Sequence, residues 1–498
     1  MSFHKVSTAA LPRGWVAAPL TDFLIAEAGN SKLIKGKMQS GPAKNLFQGF
    51  SASGADVWSD SYEYEADGVV VSAVGARCGK SFLARGKWVA VANTHVVIPF
   101  SDALDVNFLW YGINDEAFWV KSGTAQPFVV VSKSFDRSFA IPPRAEQTRI
   151  VEKLEGLLSD LDTGVAELKA AQKKLGQYRQ SLLKAAVEGA LTAEWRKQNK
   201  PRETGAQLLE RILTERRARW EAKQLAKFKE QGKTPLKDWQ KKYPEPVQPD
   251  TTNLPTLPDG WVWASLEQLS EFITSGSRGW ADYYAELGAT FIRSQNINTD
   301  WLDLSDVAFV RPPVSTEGSR TRVRPHDLLL TITGANVGKA AWVEAEVGEA
   351  YVSQHVALIR PIETSCTKFL HMFLIAAAGG RGQLNKHAYG AGKPGLNLQQ
   401  VGSVTVPLPS LAEILAMEEA ATRQLMALAE QALAIEFALK QSAAQRKNLL
   451  KAAFSGQLVP QDPNDEPASV LLARIRAERA GAEGKKRTGA RPTRMETA

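Results

Sequence analysis

The sequence predicts an α+β chain: two similar mixed α/β domains separated by two long antiparallel, coiled-coil-like helices, in a pseudo-two-fold internal duplication. Three observations predict it. Leu154, Leu161, Leu168, Leu175 and Leu182 recur at a strict spacing of seven, with Leu158, Val165, Ala171, Tyr178 and Ala185 between them. An apolar seam held for about four heptads is the pattern of a long helix packed on another helix. The end of that stretch, Arg179 to Thr192, returns as Arg446 to Val459, and a second seam of Leu425, Leu428, Ala432, Ile435 and Leu439 leads into the copy. The rest consists of short, β-rich apolar runs punctuated by Gly and Asn, which read as strands and turns of mixed domains.

The duplication orders the chain. Leu11-Pro12-Arg13-Gly14-Trp15 opens the first half and Leu257-Pro258-Asp259-Gly260-Trp261 the second. Gly75-Ala76-Arg77-Cys78-Gly79-Lys80 is answered by Gly334-Ala335-Asn336-Val337-Gly338-Lys339, and Thr94-His95-Val96 by Gln354-His355-Val356. Gly123 to Pro127 is answered by Gly390 to Pro394, and Ile141-Pro142-Pro143 by Val406-Pro407-Leu408-Pro409. The period is near 260 residues, far above that of solenoid repeats. Strands are expected at Val69–Ala73, Trp88–Ala92, Val96–Pro99, Phe128–Ser132, Leu328–Thr333 and Val356–Ile359, and short helices at Asp105–Asn114 and Thr367–Ala378. Prolines end the last strand of each half and open the long helix, where a first-turn proline is tolerated. The expected boundaries are a first domain at 1–143 and its helix at 144–193. A basic helical insert and Pro-rich linker follow at 194–256, then a second domain at 257–409 and its helix at 410–459. A basic, disordered tail is expected at 460–498.

A chain of 498 residues is too long for one core. Two cysteines, Cys78 and Cys366, point to a reducing, cytoplasmic setting and exclude a disulfide framework. No apolar run reaches the roughly 18 residues of a membrane span, and the first residues lack the charged-then-apolar pattern of a secretion signal. The net charge is +8. Glu194 to Tyr243 holds 15 Lys/Arg against 7 Asp/Glu, an excess equal to that of the whole chain. Bulk charge therefore carries no nucleic-acid reading by itself. The helix expected at Ala206–Lys229 is open between a solvated face and a phosphate- or partner-binding face.

Catalytic chemistry finds little support. Gly75 to Ser81 is one residue short of a phosphate-binding loop, and its counterpart at Gly334 lacks the terminal hydroxyl. It reads as a tight glycine turn, with a DNA-phosphate contact as the other option. His95 and His355 fall at matching places in the sequence repeat, without the Cys, Asp or Glu spacing of a metal site. No nucleophile elbow, His-Glu-x-x-His or Gly-rich cofactor loop occurs.

This order resembles the specificity (S) subunit of Type I restriction-modification systems. The motifs that carry it are Leu-Pro-x-Gly-Trp opening each half and Gly-Ala-x-x-Gly-Lys in each. Gly390 to Gly395 with Leu396-Asn397, the Pro-Leu-Pro strand end, and Leu-Leu-Lys-Ala-Ala with a glycine three residues later complete them. The resemblance implies a non-catalytic subunit with two target recognition domains, each reading one half of a split, asymmetric DNA target, and two helices setting the gap. Roughly 45 helical residues span about 65–70 Å. It implies double-stranded DNA, two methyltransferase (M) subunits and two restriction (R) subunits as partners. S-adenosylmethionine, ATP and magnesium would sit on those partners, directing adenine-N6 methylation and ATP-dependent cleavage, with no cofactor or metal on this chain. Phe128-Val129 stands where Gly395-Leu396 does, so the two reading loops are expected to differ.

Base edges are read by Arg, Lys, Asn and Gln. By residue type and loop placement the candidates in the first half are Lys35, Lys37, Lys44, Arg77, Lys80 and Gln126. In the second half they are Arg278, Arg293, Gln295, Asn296, Arg320, Arg322, Asn336, Lys339 and Lys393. Two other readings stay open: the specificity subunit of a methylation-only system, and a coiled-coil scaffold that binds only proteins.

Overall fold

The computed structural model describes residues 11–235, 237–277, 279–297, 300–311, 320–388 and 394–488. The chain forms two compact units, one running to Lys169 and resuming at Glu436, the other spanning Ala170–Ile435.

In the first unit, Val16–Pro19 pairs antiparallel with Ser138–Ile141, joining the start of the domain to the strand before the long helix. A four-stranded antiparallel sheet follows in the order Leu24–Ala28, Thr94–Pro99, Gly68–Ser72, Ser81–Ala84. The second unit repeats it as Ser270–Ser275, Val356–Pro361, Leu328–Thr331, Ala340–Trp342, and repeats the terminal pair as Val262–Ser265 with Thr405–Leu408. A second sheet in each is built around one parallel pair, Phe47–Ser51 with Lys87–Ala90, and Ala289–Ile292 with Ala350–Val352. The copies part at the edge of this sheet. Tyr64–Glu65 adds beside Lys87–Ala90 in the first, whereas Tyr284–Ala285 adds beside Ala308–Val310 in the second. The expected short helices form as Val106–Ile113, capped by the Asp105 carboxylate, and Thr367–Ile375. Phe128–Ser132 is strand only at Phe128–Val129; a helix then runs Val131–Phe135, held by Ser134 Oγ donating to Val130 O.

Both long helices form, Arg144–Val187 and Leu411–Phe454, each of 44 residues. Within the first unit Arg446 donates to Asp162 at 2.7 Å. Within the second, Tyr178 donates to Gln424 at 3.4 Å. In each unit the start of one helix therefore lies beside the end of the other, which is antiparallel packing. Leu154, Leu182 and Leu428 are buried, while Leu161, Leu168, Leu175, Leu425, Ile435 and Leu439 are half-buried and Ala432 is exposed. This is a seam between two helices with open flanks, looser than a zipper. Outside it, Met426, Leu433 and Phe437 are 60%, 66% and 62% exposed.

The repeated Leu-Pro-x-Gly-Trp motif fastens each domain to its helix. Trp15 donates to Glu146 at 3.0 Å, and Trp261 to Glu413 at 2.9 Å; both glutamates lie in a first helical turn. The motif's proline fixes the glycine beyond the other helix end. A Cβ on Gly456 would meet Pro12 at 2.4 Å, one on Gly189 would meet Pro258 at 2.9 Å, and both glycines have positive φ. Only glycine fits such a position without strain.

One expectation is corrected and another is met: the tail expected to be disordered carries a helix, Ala468–Thr488, while the helix expected at Ala206–Lys229 forms as Gly205–Glu230. These helices are a further repeat. Leu208-Leu209, Arg211-Ile212 and Glu215-Arg216 match Leu471-Leu472, Arg474-Ile475 and Glu478-Arg479. Leu208 and Ile212 are buried in the second unit's core; Leu471, Leu472 and Ile475 are buried in the first's. Arg216 donates to Ser270 O at 3.0 Å, and Arg479 to Leu24 O at 2.5 Å, each where the first strand of a main sheet begins. The Pro-rich stretch folds back, stacking Trp239 on Trp220, while the Tyr243 hydroxyl accepts from Arg216. Apolar burial against a domain, rather than intrinsic helicity, stabilises these helices. No helix among the described residues is long and apolar enough to cross a membrane.

Candidate nucleic-acid interface

The Gly-Ala-x-x-Gly-Lys segments are hairpin turns. In the first, Cys78 N donates to Gly75 O, Gly79 N to Ser72 O and Lys80 N to Arg77 O. In the second, Val337 N donates to Gly334 O, Gly338 N to Thr331 O and Lys339 N to Asn336 O. A phosphate cradle needs inward-facing free N–H groups, and three of those in each turn are spent within it. Arg77 projects from the tip, exposed; Lys80 is half-buried with its ammonium 5.6 Å from the Phe82 ring centre. Asn336 and Lys339 are half-buried at the equivalent turn.

Lys35 and Lys37 lie in a short 3₁₀ turn on the first unit, both exposed, and Lys35 is paired with Asp56. Lys44 and Gln126 are exposed in loops. In the second unit Arg320 and Arg322 are exposed, Arg320 donating to Ser277 Oγ at 3.3 Å. Arg278 and Lys393 lie outside the described residues, as do Gly390 to Lys393 of the glycine-rich motif. Asn296 is corrected: it is buried, its amide donating to Asp303 O at 2.9 Å and Asp306 O at 2.8 Å while its oxygen accepts from Arg293 N. Buried and with both amide hydrogens spent, it shapes a loop.

The repeat also corrects the histidine pairing. Ala73 N donates to Asn93 O and Ile332 N to His355 O. His355 therefore stands where Asn93 does, and His95 falls on the place of Ala357. His95 is half-buried and burial holds its pKa low; His355 is exposed. By contrast Phe128 does match Gly395: Val129 N donates to Ala73 O, and Leu396 N to Ile332 O.

What the second unit brings together is a cavity of about 330 Å³ lined by Trp280, Tyr284, Phe291, Arg293, Gln295, Ser353, Gln354 and His355, among others. Arg293 and Gln295 come from the loop after Ala289–Ile292, and Ser353, Gln354 and His355 from the one after Ala350–Val352. Because those strands run parallel as neighbours, both loops leave the same end of the sheet. Ends of parallel strands are where sheets build binding sites. Sequence reasoning named Arg293 and Gln295 but passed over Trp280, Ser353 and Gln354. Gln354-His355 had stood out only as a repeat marker.

A family model, the Type I restriction modification DNA specificity domain, matches residues 318–429. The chain is 24% identical to the Type I restriction enzyme EcoDI specificity subunit of Escherichia coli, over 97% of this chain and 99% of that one. It is 26% identical to the EcoBI specificity subunit of Escherichia coli, over 70% of this chain and 66% of that one. A solved chain from work on complex assembly and conformational transition of the type I R-M system overlays with a TM-score of 0.60 at 15% identity, covering 90% of this chain and 99% of that chain. That likeness bears on the fold alone, which is the duplicated mixed fold with long helices described above. By these matches the chain is similar to Type I restriction-modification specificity subunits.

Proposed function

We propose that this chain reads a bipartite, asymmetric DNA target, one domain per half-site, and directs adenine-N6 methylation and ATP-dependent cleavage by partner subunits. The observation that carries the reading is a pair of domains with one main-sheet topology but different loop chemistry. Phe128-Val129 answers Gly395-Leu396, and Ser51, Val91, Ala92 and Asn93 answer Arg293, Ser353, Gln354 and His355. Like scaffolds with unlike loops suit two unlike half-sites. A helix of 44 residues is about 66 Å long, and its rigidity would fix the gap between them.

Two M subunits and two R subunits are the proposed partners, with S-adenosylmethionine, ATP and magnesium bound there. A methylation-only complex would use the same chain without R subunits.

The test is long-read mapping of N6-methyladenine in a host expressing this chain with its neighbouring methyltransferase subunit. The expected result is a split motif with a fixed gap that disappears when the chain is deleted. A continuous motif, or one indifferent to the deletion, leaves only the scaffold reading.

A further inference from the structure

We propose that the cavity of the second domain is a guanine-reading site, with Arg293 as its specificity-determining donor. This rests on the DNA-reading function above and names the base. Arg293 is half-buried, and its Nε is sequestered from solvent without a hydrogen-bond partner among the described residues. Ser353, which also lines the cavity and is 5% exposed, leaves its Oγ in the same condition. Buried donors without acceptors are costly, and here two of them belong to residues that line one cavity. Gln295, Gln354 and His355 also line it, as do Ser277 and Ser294, with Gln354 Nε2 3.3 Å from His355 Nε2. The opposite side is aromatic: Trp280 stacks on Phe291 at 5.1 Å between ring centres, and Tyr284 stands edge-on to Phe291 at 5.5 Å.

This chemistry favours a base edge over a phosphate. Phosphate contacts come from exposed cations and free backbone N–H groups, whereas this site is walled by aromatic rings and amides around a half-buried arginine whose Nε is sealed from solvent. An arginine fork matches the paired N7 and O6 acceptors of guanine in the major groove. The first domain supplies an internal comparison. Ser353 N donates to Ile292 O as Val91 N donates to Phe50 O, which places Ser51 at the position of Arg293 and Val91 at that of Ser353. Ser51 instead donates to Asp56 at 2.6 Å. The backbone is kept and the reader replaced, as expected where two domains read different bases.

The experiment measures binding of the methyltransferase–specificity complex to its target duplex with 7-deazaguanine substituted at each guanine in turn. The expected result is a loss of about tenfold at one guanine, confined to one half-site, and no such loss with the Arg293→Ala complex. Arg293→Lys, which keeps charge but not the fork, should also lose the discrimination. Sensitivity at no guanine overturns the proposal without touching the DNA-reading function, as does the same sensitivity in both arginine variants. A response to methylphosphonate at neighbouring phosphates in place of 7-deazaguanine overturns it equally. Absence of any sequence-specific binding by the native complex would instead overturn the function on which the proposal rests. The scan on the native complex needs no variant to fold.

Discussion

Replacing Glu413 with alanine is expected to destabilise the second unit by about 3 kcal/mol, and replacing Glu146 with alanine to destabilise the first by only about 1–2 kcal/mol. The two glutamates hold the same place in the repeat, and their partners set the difference. Glu413 is buried and accepts from Trp261 at 2.9 Å, from Thr192 Oγ1 at 2.7 Å, and from Arg196 Nε and NH2 at 2.9 and 2.6 Å. Arg196 is itself largely covered and lies over the Trp261 ring. Without Glu413 it becomes a poorly solvated, unpaired cation. Glu146 accepts from two neutral donors, Trp15 at 3.0 Å and Gln461 at 3.3 Å, and burial pushes its carboxyl above the ordinary range. Its folded pKa exceeds its unfolded one, so ionisation costs stability as pH rises through that interval. Glu146→Gln should therefore gain on the parent above it. Calorimetric unfolding of the full chain and each variant checks both; equal losses at Glu413 and Glu146 would refute the explanation from partners.

Arg360→Ala is expected to cost the second unit about 3–5 kcal/mol, because it strips the partner from a buried charge. Asp327 has no exposed surface and accepts from Arg360 Nε and NH2, both at 2.7 Å, and from Arg324 N at 2.7 Å. Arg360 also donates to Arg322 O at 3.0 Å and covers the Phe272 ring. The pair ties the central strand Val356–Pro361 to the turn that starts Leu328–Thr331. Replacing both partners with apolar residues of like volume should recover most of the loss. Urea unfolding of the single and double variants decides the matter. A single-variant cost near that of an exposed pair, below about 1 kcal/mol, would show that water reaches the site.

The long helices were legible because a seven-residue spacing has one physical solution, and the duplicated fold because its turn glycines and strand-end prolines recur in order. The phase of the repeat was not legible everywhere. His95 and His355 are each followed by valine, but the hydrogen-bond ladder sets His355 against Asn93. The helix Ala468–Thr488 was missed because its apolar positions, Leu471, Leu472 and Ile475, fill only its first turns before a basic stretch. Its likeness to Leu208, Leu209 and Ile212 was the available signal. Residue type alone promoted Asn296, whose hydrogen bonds are consumed internally. It missed Ser353 and Trp280, which reach one cavity only because two parallel strands end side by side.

The central claim is that each domain reads its own half-site. The most direct measurement is N6-methyladenine mapping after residues 11–143 are exchanged for the matching domain of a relative. The account predicts that one half of the methylated motif changes while the other half and the gap stay the same. A motif in which both halves change, or neither does, would contradict it.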